Sequence, residues 1–170
     1  MNFVKKNYLL LLLVLLATFL LTYKIDKPFI GHHDWNGAFW GSVADRNINY
    51  FLQGNQDQIS AENLLLTHYT PFISILFSVS SAIFGLSEFS LRLVPVFFSV
   101  VMVVFVYKIG ERLFGKLEGF VAALFLQATP MFLYFGKLPD HEPIVVSLVT
   151  VAFYFYILGY FKKKMNLILF

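Results

Sequence analysis

The sequence predicts an all-α, polytopic membrane protein, and three observations predict it. Hydrophobic residues make up 58% of the 170 and charged residues only 14%, against about a quarter charged in a soluble domain. The apolar residues are gathered into long uncharged runs instead of being spread at core-facing spacing. The basic residues sit at the ends of those runs, where Lys and Arg set orientation. The net charge of +3 is therefore a matter of topology and leaves no nucleic-acid footprint. The chain has no cysteine, which excludes disulfides, thiolate metal sites and cysteine nucleophiles.

The first element is a span over 8–25. Lys5 and Lys6 precede it, and it ends in Thr22-Tyr23-Lys24-Ile25-Asp26 instead of a small-residue cleavage site, so it reads as uncleaved. Residues 26–70 form the one long polar loop. Within it, 36–52 has the pattern of an amphipathic helix. Trp40, Val43, Ala44, Asn47, Ile48 and Phe51 share one face; Ser42, Asp45, Arg46 and Asn49 share the other. Such a helix lies along the membrane surface, with Asp34 or Asn36 as its N-cap.

The apolar stretch 71–85 is the ambiguous one. Fifteen residues of helix reach only about 22 Å, short of the roughly 30 Å of hydrocarbon. It also carries Ser74, Ser78 and Ser81 on one face, which suits close packing against another helix. Better spans follow at 91–109, 119–135 and 143–161, separated by a loop at 110–118 and an acidic loop at 136–142. A last apolar run begins at 165–170.

Charge decides how 71–85 is read. If it does not span, eight basic residues (Lys5, Lys6, Lys108, Arg112, Lys116, Lys162, Lys163 and Lys164) are cytoplasmic, and Lys137 alone lies in the short external loop. If it does span, only Lys5, Lys6, Arg92 and Lys137 are cytoplasmic. The positive-inside rule favours the first arrangement, making 71–85 a juxtamembrane or re-entrant helix. That arrangement also puts Asp34, His68 and the Asp140-His141-Glu142 cluster on one external side.

Those residues are where chemistry is expected. Asp34, after His32 and His33, has three readings: general base, metal ligand or helix cap. Asp140, His141 and Glu142 make a dense polar group at the membrane surface, where acids line substrate or ion pathways. Pro143 suits the first turn of the next helix, with Glu142 favouring its dipole. His68 and Tyr69 open the re-entrant helix. Lys137, Arg92 and Arg46 are the external cations able to meet a phosphate, with Arg92 expected to snorkel from its helix end. Histidines and carboxylates together admit a divalent cation, held by His32, His33, Asp34 and Glu142, although no HxxxH or HExxH spacing is present. No Walker loop, GxGxxG or GxSxG occurs.

In order along the chain stand GHHDWN, THYTPF, FGLSEFSLRLVP, GERLFGKLEG and FGKLPDHEP. From about Ile30 to Tyr160 this succession resembles the N-terminal module of the GT-C membrane glycosyltransferases. It is closest to the protein O-mannosyltransferases and lipid A aminoarabinose transferases. The resemblance implies hexosyl or pentosyl transfer from a polyprenyl-phosphate donor to a hydroxyl acceptor at the external face of the cell membrane. It implies juxtamembrane helices in the first external loop, Asp34 as base and Glu142 as the second catalytic acid, with Asp140 its neighbour. His33, His68, Tyr69, Asp140, His141 and Lys137 become candidate substrate contacts. The family's usual acidic pair is Asp34-Trp35 here, and its double proline is Thr70-Pro71, with Tyr69 or His68 where some members place a phosphate-binding lysine. The enzymes resembled have more spans than 170 residues supply, so the expectation is a fragment. The competing class is a non-enzymatic membrane protein, either a transporter or channel piece or a lipid-binding relative without catalysis. Uncharged span interiors count against transport.

Overall fold

The computed structural model describes residues 2–30, 35–51 and 71–161, and every regular element among them is a helix. In chain order these are α1 (Asn2–Thr22), α2 (Trp35–Phe51), α3 (Pro71–Phe84), α4 (Glu88–Leu113), α5 (Lys116–Ala128), α6 (Pro130–Phe135) and α7 (His141–Phe161). The chain divides into two compact units. One comprises Met1–Leu21, Phe98–Gly136 and Glu142–Phe170; the other comprises Thr22–Phe97 and Lys137–His141.

The first unit is apolar on its outer face as well as in its core, unlike a soluble bundle. Helix α7 buries Ile144, Ser147 and Ile157 and exposes Val149, Phe153, Phe155 and Tyr156. Helix α1 likewise buries Leu13, Ala17 and Leu21, one stripe at i, i+4, i+8, while Leu11, Leu12, Leu15 and Phe19 face outward. Helices that are apolar on their outer face as well as their buried one are the kind that lipid solvates. Helices α4 and α7 are long and apolar enough to cross a membrane. Ser147 Oγ donates to the Phe98 carbonyl at 2.7 Å, joining the two.

Two local features shape this unit. The apolar stretch 119–135 is two helices, not one, because Pro130 has no N–H to give and drives Thr129 out of the helical region. Thr129 takes an extended conformation (φ −74°, ψ 134°) and caps α6 by accepting from the Phe132 N–H. Its hydroxyl and its backbone N–H both donate to the Leu126 carbonyl, at 2.7 and 3.2 Å, closing the end of α5. The second feature is the crossing of α4 and α5. A Cβ on Gly119 would lie 2.5 Å from the Tyr107 carbonyl and the Glu111 nitrogen, and one on Gly110 would lie 2.5 Å from the Gly119 Cα. The two backbones touch here only because neither residue has a side chain. Gly119→Ala is therefore expected to cost about 1–3 kcal/mol through overpacking. Gly159→Ala, where a Cβ meets nothing within 4 Å, should be neutral. Thermal melting of the two variants in detergent compares them.

In the second unit, α2 packs on α3. Helix α2 buries Asn36, Gly37, Trp40, Val43, Ala44 and Asn47. This is the helical stripe its sequence carries, although Ile48 is only half-buried and Phe51 is exposed. Helix α3 buries Ile73, Ser74, Phe77, Ser80 and Ser81. Trp40 stacks on Phe77, with centroids 5.1 Å apart, worth about 0.5–1.5 kcal/mol beyond area burial. Asn47 donates to Ser78 Oγ at 2.8 Å, and Ser78 donates to the Ser74 carbonyl at 2.7 Å. The serine stripe of α3 thus serves close packing, while Phe72, Ile75, Val79 and Ile83 point outward. At 14 residues α3 is short for a span.

Candidate functional site

Of the sequence-predicted residues, Asp140, His141 and Lys137 lie in the second unit and Glu142 begins the last stretch of the first. His32, His33, Asp34, His68 and Tyr69 lie outside the described residues.

The site is built around Asp140, which directly precedes α7. Its side chain is buried at 8% exposure, so its oxygens need donors from the protein. Asn36, in the first turn of α2, donates from Nδ2 to Oδ2. Oδ1 accepts from the His141 backbone N–H at 2.7 Å and lies 2.7 Å from His141 Nδ1. A carboxylate only accepts, so the proton of the imidazole sits on Nδ1. Asp140 therefore acts as a hub that orients its neighbours. Glu142, next in the chain, is exposed.

The cations of this unit are arranged by Arg92 on α4. Arg92 does not snorkel: it is 7% exposed. Its Nη1 donates to the Ile25 carbonyl at 2.9 Å and to the Lys27 carbonyl, and its guanidinium lies 4.5 Å from the centroid of the Phe29 ring. The reason is local. The turn after α1 leaves carbonyls that no helix satisfies, and a planar guanidinium reaches two of them at once. Phe29 also occupies the space where a Cβ on Gly37 would fall, 2.6 Å from its ring. The turn, α2 and α4 are thereby locked together.

Lys137, half-buried in the loop before Asp140, feels this arrangement. Burial pushes its ammonium pKa below the ordinary 10.5, and the charges of Arg92 and Lys27 push it the same way. Three cations with such mutual repulsion favour an anion between them. The depressed pKa also costs stability. Between the lowered folded pKa and 10.5 the unfolded chain binds more protons, so stability rises with pH across that window. Below both values the full penalty is present. Lys137→Met is accordingly expected to melt above the parent at neutral pH, with the gap closing as pH approaches 10.5. Melting curves across pH check it.

Among the described residues each unit also has a cavity. In the second, a groove of about 260 Å³ runs between α2 and α3, lined by Ile48, Phe51, Ile75, Val79, Ala82 and Ile83, with Asn47 and Ser78 on its floor. In the first, a cavity of about 430 Å³ is walled by Met102, Leu126, Met131, Phe135 and Val146, with Glu142 on its lining. Both suit apolar chains more than sugars. Sequence reasoning missed Asn36 as a partner and Arg92 as a clamp. The available signal for Asn36 was its place on the apolar face of α2, where a polar group requires a buried partner.

Residues 68–170 match the family model described as dolichyl-phosphate-mannose-protein mannosyltransferase. No curated protein and no solved structure matches the chain.

Proposed function

Because the chain belongs to the dolichyl-phosphate-mannose-protein mannosyltransferase family, we propose that it transfers a sugar from a polyprenyl-phosphate donor to a hydroxyl acceptor at the external membrane face. The observation that carries this reading is the bond from Asn36 to Asp140. It ties the turn that begins just after Asp34 to the loop that carries Lys137 and His141. Both polar loops of the sequence thus contribute to one buried polar centre among helices whose large apolar groups face outward.

In this mechanism the acceptor oxygen attacks the sugar C1 while its proton passes to the Asp34 carboxylate. The bond from C1 to the phosphate oxygen breaks, and its electron pair leaves with the lipid phosphate. Lys137 donates hydrogen bonds to that phosphate as its charge grows. One displacement inverts the anomeric centre, so one base suffices. Glu142 is the second acid that the resemblance supplies. The isoprenoid tail lies in the groove beside α3, whose outward apolar stripe continues into lipid. Transport is the poorer reading, since α4 carries no charge between Arg92 and Lys108 and α7 none beyond Glu142.

Reconstituting the full-length protein with polyprenyl-phosphate sugars or with sugar nucleotides tests this directly. Transfer from the lipid donors alone is expected. Transfer from nucleotides alone, or none from either, rejects the reading.

A further inference from the structure

Lys27 lies outside the family-matched stretch and outside every motif of the sequence. We infer that it is a second phosphate contact beside Lys137, answering the negative charge that appears when the donor is cleaved. The site then takes a lipid phosphate monoester in preference to a diester. The inference rests on the lipid-phosphate reading above and adds to it which state of the phosphate the cations fit.

Main-chain geometry places Lys27. Arg92, 7% exposed, donates from Nη1 to the Lys27 carbonyl and, at 2.9 Å, to the Ile25 carbonyl. Phe29 lies against the same guanidinium, and its ring fills the space beside Gly37 in the first turn of α2. The turn is thus fixed on Arg92 on either side of Lys27. The loop of Lys137 is fixed separately: Leu138 and Pro139 are buried, and Asp140 accepts from Asn36, the neighbour of Gly37. Two lysines far apart in sequence are therefore presented around one buried guanidinium. Neither lysine side chain makes an ion pair or hydrogen bond among the described residues. The electrostatics agree, since burial and then the charges of Arg92 and Lys27 hold the Lys137 ammonium below its ordinary value. Of the acids on this turn and loop, Asp140 is engaged by Asn36 and His141, and Asp26 is exposed.

The chemistry then separates two states of one ligand. A phosphate bearing both a polyprenyl chain and a sugar is a diester with a single negative charge. When the bond from C1 to oxygen breaks, the electron pair stays on the phosphate. The monoester left behind carries about −1.5 to −2 at neutral pH, its second pKa being about 6. One ammonium matches the first charge, and a second matches the charge gained. Lys137 is half-buried and has already lost hydration, so it pairs with the phosphate throughout. Lys27 is exposed and fully hydrated, and a charge that Lys137 already meets offers it little. The second charge is what draws it in. Spent carrier is then held more firmly than donor and competes with it.

Binding to the full-length protein in phosphatidylcholine nanodiscs tests this with three probes: undecaprenyl phosphate, its methyl diester and undecaprenol. The parent is expected to bind the monoester roughly tenfold more tightly than the diester, and both more tightly than undecaprenol. Lys27→Gln should lose roughly tenfold on the monoester and less than about twofold on the diester, so that the preference disappears. Diester binding in the same variant shows that the site is intact, as expected when the carbonyl that meets Arg92 is retained. Lys27→Arg should keep the preference, and Lys137→Gln should weaken both phosphates. Three results overturn the inference while leaving lipid-phosphate recognition standing: equal losses on monoester and diester in Lys27→Gln, no loss on either, or a parent without the preference. Displacement of the lipid by inorganic phosphate at equal affinity assigns the cations to free phosphate and overturns it too. A parent that binds undecaprenol as tightly as both phosphates rejects the function proposed above, and the role of Lys27 with it.

Discussion

Asp34→Asn is expected to lower sugar transfer by about 10²- to 10⁴-fold while leaving the protein folded and donor binding within about twofold. The carboxamide matches the carboxylate in size and still accepts a hydrogen bond, but it cannot take the acceptor proton as the new C–O bond forms. The loss should fall on kcat, because a proton moved only in the transition state contributes nothing to holding the lipid donor. The phosphate groups proposed here behave oppositely. Lys137→Gln should raise the donor KM first, since a charge that meets the phosphate acts in ground and transition states alike. Initial rates over a range of donor concentrations in proteoliposomes separate the two. Unchanged transfer by Asp34→Asn removes Asp34 from catalysis.

The contrast between these residues shows what the sequence could convey. Composition decided the all-α membrane class, because uncharged apolar runs have no other stable form in lipid. The buried face of α2 was legible because its stripe is a local, periodic property. The serine stripe of α3 was legible for the same reason, and packing against α2 gives its purpose. The break at Thr129 was harder to see. The runs on both sides of Pro130 are mostly apolar, and hydropathy does not register a missing N–H. Most of the polar centre was out of reach. Asn36 meets Asp140 across 104 positions, and nothing near either residue names the other. Reading Asn36 as a cap followed from its neighbours alone, whereas tertiary burial gave its amide a different acceptor. Arg92 shows the same limit, because its acceptors are main-chain carbonyls, which leave no trace in a sequence.

Arg92→Ala is expected to be the most destabilising single change among the polar residues, at about 3 kcal/mol. Two carbonyls, of Ile25 and Lys27, lose their donor at once. The Phe29 ring also loses the cation lying 4.5 Å from its centroid, a contact worth roughly 0.5–2 kcal/mol. Ile25 is itself buried at 7% exposure, so water reaches its carbonyl poorly and replacement hydration is slight. Arg92→Lys should recover only part of the loss, since an ammonium lacks the planar fork and the face that stacks on Phe29. The same variant tests the electrostatic account of Lys137. Removing one of the two repelling charges in Arg92→Ala raises the Lys137 pKa toward its ordinary value, offsetting a fraction of the damage below that pKa. Arg92→Ala should therefore be less harmful at neutral pH than above pH 10.5, where Lys137 no longer carries the penalty. Melting in detergent at both values reads this. A loss independent of pH means that Arg92 acts on the turn after α1 alone and that its charge does not reach Lys137.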